Sequence, residues 1–267
     1  VSLLELAAVE KHFGGLTALA AVDFTAEEGA VTALVGDNGA GKSTLIKIVA
    51  GAYQPDGGTI RFAGSPVRLR NPQDAWDLGI ATIYQELALA GKMNVADNIF
   101  LGRELQRPVL GVPFLDRKGM RRRAAELLDE LDVHIPDLEI WVERLSGGQR
   151  QGVAIARALN LDARLIIMDE PTAALAVAEQ QKVLDFIRRL RDAGKAVILI
   201  SHNIQDVFRV ADRITVLRRG RKVGERVTAT TTPEEIIALI TGAYELRRSP
   251  GGSTSATENP APPAGQR

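Results

Sequence analysis

The chain contains no cysteine among its 267 residues. Disulfides, thiolate catalysis and cysteine-ligated metal sites are therefore excluded. Three histidines are too few for a His-rich metal centre. Neither sign of charge prevails: 33 basic and 33 acidic residues leave a formal net charge of zero. No global field draws the chain to nucleic acid or to an anionic membrane. Long apolar runs are missing too. Residues 165–168 and 196–200 are among the longest, far short of the ~20 that a membrane helix needs. Residues 1–13 carry Glu5 and Glu10, with no basic start before an apolar block, so no signal peptide is expected. The expectation is a cytoplasmic protein that reaches a membrane only through a partner.

What is present is an alternation of short apolar strands and amphipathic helices. Residues 3–13 and 19–25 read as antiparallel strands around a Gly14-Gly15 turn. Further strands are expected at 31–35, 59–62, 80–83, 165–168, 196–200, 214–217 and 222–227. Helices are expected at 43–50, 71–78 (with Asn71 as cap and Pro72 at the first position), 177–193, 203–211 and 233–240. Between about 86 and 160 the pattern turns helical. Met120, Ala124, Leu127, Leu128 and Leu131 share one helix face there, while Arg121–Arg123 read as a solvated face. The implied class is α/β: a mainly parallel sheet covered on both faces, an antiparallel β subdomain at the N-terminal end, and a helical subdomain inserted at 86–160. The expected domain is 1–246. Residues 247–267 are rich in Pro, Gly, Ser, Thr and Ala and are expected to be a disordered tail.

The sharpest local signal is Gly36-Asp37-Asn38-Gly39-Ala40-Gly41-Lys42-Ser43-Thr44, a G-x-x-x-x-G-K-[ST] loop between an expected strand and helix. Its glycines let successive N–H groups turn inward onto phosphate oxygens, and the helix N-terminus adds positive potential. Lys42 brings a full charge to the β- and γ-phosphates, and Ser43 offers a hydroxyl to Mg²⁺. The loop by itself says only that a nucleoside triphosphate binds. A second signal is the apolar run 165–168 ending in Asp169-Glu170. Ligands of parallel sheets sit at the carboxyl ends of strands. Asp169 there could hold Mg²⁺ through a water, and Glu170 could act as general base toward the attacking water.

Leu145-Ser146-Gly147-Gly148-Gln149, continued by Arg150-Gln151, resembles the signature motif of ABC ATPases. With the phosphate loop and the acidic pair, the resemblance covers residues 3–242 and implies a P-loop NTPase (RecA-like) core. It implies ATP and Mg²⁺ as ligands. Gln85, in Ile83-Tyr84-Gln85-Glu86, resembles the glutamine that reaches Mg²⁺ and the attacking water and links the site to the membrane subunit. His202, in Ile200-Ser201-His202, resembles the histidine that contacts the γ-phosphate. Phe13 resembles the aromatic that stacks on adenine; the alternative is an ordinary core phenylalanine. Ser146, Gly147, Gly148 and Gln149 would bind the γ-phosphate held by a second chain, so the resemblance implies a head-to-tail homodimer.

One position departs from the family pattern. After Pro171-Thr172, the stretch Ala173-Ala174-Leu175-Ala176 has alanine where an aspartate is usual. That removes a polar contact across the dimer and leaves open a catalytically dead, regulatory subunit.

A finer resemblance is to the ATPases of bacterial ribose, xylose and fructose importers. It is carried by Lys11-His12-Phe13-Gly14-Gly15-Leu16-Thr17-Ala18-Leu19, by residues 79–87, and by Asn94-Val95-Ala96-Asp97-Asn98-Ile99-Phe100-Leu101-Gly102-Arg103-Glu104. Fructose-type members also carry a single cassette and lack that aspartate. The resemblance implies permease subunits and, indirectly, a sugar-binding protein as partners, with the chain peripheral on the inner face of the cell membrane. Branched-chain amino-acid or lipid transport is the nearest rival. A soluble ABC ATPase acting on DNA or ribosomes is the rival from another class, and the neutral balance argues against nucleic acid.

Overall fold

The computed structural model describes residues 2–109, 112–173 and 175–243. The expected tail, 247–267, and the last residues of the expected domain lie outside these. In chain order the elements begin with β1 (Ser2–Phe13), β2 (Leu16–Glu27), β3 (Val31–Val35), α1 (Lys42–Val49), β4 (Gly57–Phe62), β5 (Ser65–Val67), α2 (Pro72–Asp77) and β6 (Ile80–Ile83). There follow α3 (Val95–Phe100), β7 (Gln106–Val109), β8 (Val112–Leu115), α4 (Arg117–Glu130) and α5 (Gly147–Leu159). The chain continues through β9 (Leu165–Asp169), α6 (Val177–Asp192), β10 (Ala196–Ile200), α7 (Ile204–Val210), β11 (Arg213–Arg218), β12 (Arg221–Val227) and α8 (Pro233–Thr241).

The central sheet runs β12-β11-β3-β10-β9-β6. Its neighbours are parallel throughout except β12, which pairs antiparallel with β11. Strands β3 and β10 are buried along their whole length, which is why they read as unbroken apolar runs. The period of two then divides their side chains between two cores. Val31, Ala33, Val35, Ile166, Met168, Val197 and Leu199 join the core with the helices α5, α6 and α7. Leu34, Leu165, Ile167, Ile198 and Ile200 join the other core with α1 and the antiparallel strands. Each such leucine or isoleucine, fully buried, contributes about 1.5–3 kcal/mol. The antiparallel sheet, β2-β1-β4-β5, closes that second core.

Helix starts follow from capping side chains. Asn71 accepts from the Asp74 N–H with Pro72 behind it, Asn94 from Asp97, and Asp116 from Gly119. The expected stripe on α4 is buried at Met120, Ala124, Leu127, Leu128 and Leu131, and Arg121 and Arg122 are exposed.

The segment 86–160 differs from the expectation in one respect. It contains the two-stranded hairpin β7–β8 between α3 and α4, where the sequence pattern reads as helical. Pro108 and Pro113 face each other in its register. Proline's fixed φ suits extended backbone, and its missing N–H is tolerated at an edge. The fully buried Asn98 organises the segment leading to α3. Its amide nitrogen donates to the carbonyls of Ala90, Met93 and Asn94 at 3.0–3.1 Å, and its oxygen accepts from the Ala90 N–H at 2.8 Å.

Candidate functional site

Four loops leave the carboxyl ends of four neighbouring strands. The glycine-rich loop follows β3, His202 follows β10, Asp169 and Glu170 end β9, and Gln85 follows β6. In the sheet these strands are consecutive, β3-β10-β9-β6. The topology thus gathers at one edge residues that span positions 36 to 202.

The glycine-rich loop curls because its glycines can. Gly41, the residue before α1, has φ +103, and a Cβ there would stand 2.8 Å from the Ala18 carbonyl oxygen. A side chain at Gly36 would run into the Leu217 carbonyl. The loop is braced from behind, where the Gly220 N–H donates to the Ala40 carbonyl at 3.0 Å and the Ala20 N–H to the Gly220 carbonyl at 2.8 Å. Lys42 folds over the loop and donates to the carbonyls of Gly36 at 2.7 Å and Asp37 at 3.0 Å. Burial lowers the Lys42 pKa, against the opposing pull of the Glu170, Asp169 and Asp37 carboxylates. Ser43, in the first turn of α1, is exposed.

These residues open into a cavity of about 460 Å³ lined by Phe13, Asn38, Gly39, Ala40, Gly41, Lys42, Ser43 and Thr44. Phe13 is 42% exposed, which rules out the core reading. Its ring meets Tyr53 edge-on at 5.4 Å. Arg219 and Gly220, at the β11–β12 turn, line the same cavity. Sequence reasoning missed them, because nothing in the local pattern of a short turn ties it to a loop 180 residues upstream.

At the end of β9, Asp169 has its pKa raised, first by burial and then by the neighbouring Glu170 carboxylate, against the pull of Lys42 and Lys47. Glu170 itself is left-handed, φ +52, a conformation costing a non-glycine residue about 1–3 kcal/mol. It turns the chain sharply while the Glu170 N–H still donates to the Ile200 carbonyl of β10 at 2.9 Å. The carboxylate thereby lies 2.7 Å from Nδ1 of His202 and accepts from the His202 main-chain N–H at 3.4 Å. Behind this pair, Thr172 donates to the buried Asp206 carboxylate at 2.9 Å, which links the loop after Glu170 to the helix after His202.

Gln85 is exposed, and with Glu170 and Gly147 it lines a second cavity of about 710 Å³. Ser146 caps α5 through a reciprocal box. Its hydroxyl accepts from the Gln149 N–H at 3.2 Å, and the Gln149 side-chain oxygen accepts from the Ser146 N–H at 3.1 Å. The Gln149 amide nitrogen donates to the His134 carbonyl at 3.0 Å. The Ser146 hydroxyl keeps its own proton free to donate. Within one chain, residues 146–149 do not line the cavity of Lys42 and Ser43.

Ala176 precedes α6 and has no side-chain acceptor for its first turn; instead the Ala176 N–H donates to Glu179 at 3.4 Å. Among the described residues no three His, Cys, Asp or Glu side chains gather into a metal cage. The oxygen donors Ser43, Asp169 and Gln85 suit a hard cation, but only with phosphate oxygens completing its shell.

Comparison with known proteins gives a consistent family. Residues 19–173 match the family described as ABC transporter. The chain is 48% identical to the xylose/arabinose import ATP-binding protein of Sulfolobus acidocaldarius, over 90% of this chain and 94% of that protein. It is 46% identical to the fructose import ATP-binding protein of Rhizobium meliloti, over 89% and 93%. Among solved structures, it resembles a dimeric ATP-binding cassette in a post-hydrolysis state bound to ADP and Pi, with a TM-score of 0.73, 25% identity, and coverage of 85% of this chain and 99% of that one.

Proposed function

The chain belongs to the ABC transporter family as its ATP-hydrolysing cassette, and from that membership we propose that it energises an importer for a monosaccharide. The observation that carries the catalytic part is the gathering of Lys42, His202, Glu170 and Gln85 at the carboxyl edge of four consecutive strands. The cargo rests on the relatives, whose names specify xylose/arabinose and fructose import.

In this reading, Phe13 stacks on the adenine and residues 36–44 wrap the phosphates with main-chain N–H groups. Lys42 swings from the Gly36 and Asp37 carbonyls to the β- and γ-phosphates. Glu170 takes the proton of the attacking water, and His202, 2.7 Å away, orients that carboxylate and faces the γ-phosphate. Gln85 positions the water. Ser43, Asp169 and Gln85 are the side chains that would hold Mg²⁺ beside the phosphates. The ion, when bound, neutralises charge developing on the phosphate oxygens. Ser146, Gly147, Gly148 and Gln149 close the site from a second copy, at the N-terminus of its α5. Hydrolysis then needs a head-to-tail homodimer, since each chain holds half of two sites.

The permease docks in a groove of about 500 Å³ between the sheet and the inserted helices, lined by Pro72, Trp76, Leu101, Arg103 and Leu161 among others. Trp76 and Leu101 are large apolar side chains left exposed there. None of the helices among the described residues is long and apolar enough to cross a membrane. In this reading, attachment to the inner face comes through that groove. A secreted sugar-binding protein is the indirect partner.

The test is to isolate the chain with the permease it copurifies with and to measure ATP hydrolysis with loaded binding proteins. Stimulation by a pentose- or hexose-loaded binding protein supports the cargo. Stimulation by a branched-chain amino-acid-loaded one alone overturns it.

A further inference from the structure

Arg157 sits in the last turn of α5, half-buried, with no carboxylate paired to it among the described residues. Its two terminal nitrogens donate instead to main-chain carbonyls, Ala88 at 3.0 Å and Leu87 at 3.1 Å. These carbonyls lie two and three residues beyond Gln85. Among the described residues, they are the hydrogen bonds that the main chain of 85–89 makes. Ala88 is also left-handed, φ +47, a conformation that a non-glycine residue holds only where its surroundings impose it. The guanidinium's planar fork, charged even when burial lowers its pKa, holds the carbonyl of this residue and that of the one before it.

We propose that Arg157 is a positioning residue for Gln85, clamping the loop that carries this glutamine to the helix that carries Ser146. Helix α5 is a rigid rod between them. Ser146 caps its start and Arg157 stands eleven residues on, roughly 16 Å along the axis. When Ser146 seats on a phosphate held by a second chain, the far end of α5 moves with it. The Leu87–Ala88 peptides, and Gln85 with them, follow through two charge-assisted hydrogen bonds. Arg157 and Ala88 also line the groove assigned above to the permease. On that reading, a segment seated there acts on the same clamp.

The test is a double-substitution cycle on ATP hydrolysis by the full-length chain. Arg157→Met is expected to lower kcat about tenfold while KM for ATP moves less than about twofold. In a Gln85→Ala background, the same change is expected to cost less than about twofold. Arg157→Lys, able to reach one carbonyl but not hold both in a plane, should fall between. Limited proteolysis gives a readout independent of turnover: cleavage after Glu86 should be faster in Arg157→Lys, with α5 no more susceptible than before. An equal fractional loss in both backgrounds overturns the proposal. So does a rise in KM that accounts for the loss, or unchanged cleavage after Glu86. Should Arg157→Met fail to fold, the lysine variant runs the same cycle. These readouts need only ATP turnover by this chain, so they stand or fall separately from the identity of the cargo.

Discussion

Glu170 and His202 meet side chain to side chain, carboxylate to Nδ1 at 2.7 Å, with the Glu170 side chain 13% exposed and that of His202 74%. A half-buried carboxylate held by an accessible imidazole is oriented on one side, which suits the proposed role toward an attacking water. Glu170→Gln keeps the shape and removes the proposed base. We expect kcat to fall by about 100-fold or more, with ATP affinity retained and an ATP-loaded dimer accumulating on size exclusion. Unchanged turnover would remove Glu170 from the role of base.

The proposed shared site predicts complementation. Lys42→Ala and Ser146→Arg should each be inactive alone, because each spoils both sites of its homodimer. In a mixed dimer, one site has both defects and the other has neither. Random mixing should therefore restore about a quarter of the normal activity. A mixture no more active than its parents would mean that residues 146–149 do not serve a neighbour's nucleotide.

Asp169 carries a pH signature. Its pKa is raised by burial and by Glu170, so the folded chain holds this proton more tightly than the unfolded chain. The associated stability is present at low pH and is lost as pH rises through the raised pKa. Asp169→Asn should accordingly raise the nucleotide-free Tm at pH 7.5, with no gain below pH ~3.5, under the ordinary carboxylate value. A gain of equal size at both pH values would point to a different cause.

Thr172 is the donor to a carboxylate that is itself 3% exposed, that of Asp206. Thr172→Val preserves volume and leaves this charge without its partner. A loss of about 2–3 kcal/mol in urea unfolding is expected, with a smaller loss for Asp206→Asn, whose side-chain carbonyl can still accept. Equal losses for the two would show that the hydroxyl–carboxylate contact is not what matters.

What the sequence made legible was whatever is local or strictly spaced. The loop 36–44 is one continuous motif, strands β3, β9 and β10 announce themselves as apolar runs, and Asn71-Pro72 marks a helix start within two residues. The hairpin β7–β8 was not legible, because Pro108 and Pro113 are strand breakers unless they oppose each other, and a pairing cannot be seen from one strand. Nor was the Arg157 clamp, whose partners lie 69 and 70 positions away. Main-chain carbonyls leave no trace in composition, so a helix arginine looks like any solvated one. Arg219 stayed hidden for the same reason: only the folding of β11 beside β3 brings its turn to the phosphate loop.

Lys42 is hooked onto two carbonyls of its own loop, those of Gly36 and Asp37. A tethered ammonium answers both oxygens from one side chain and so braces the curl that glycine permits. On the proposed reading, a triphosphate entering this loop asks for the swivel of one amine rather than the remaking of the backbone beneath it.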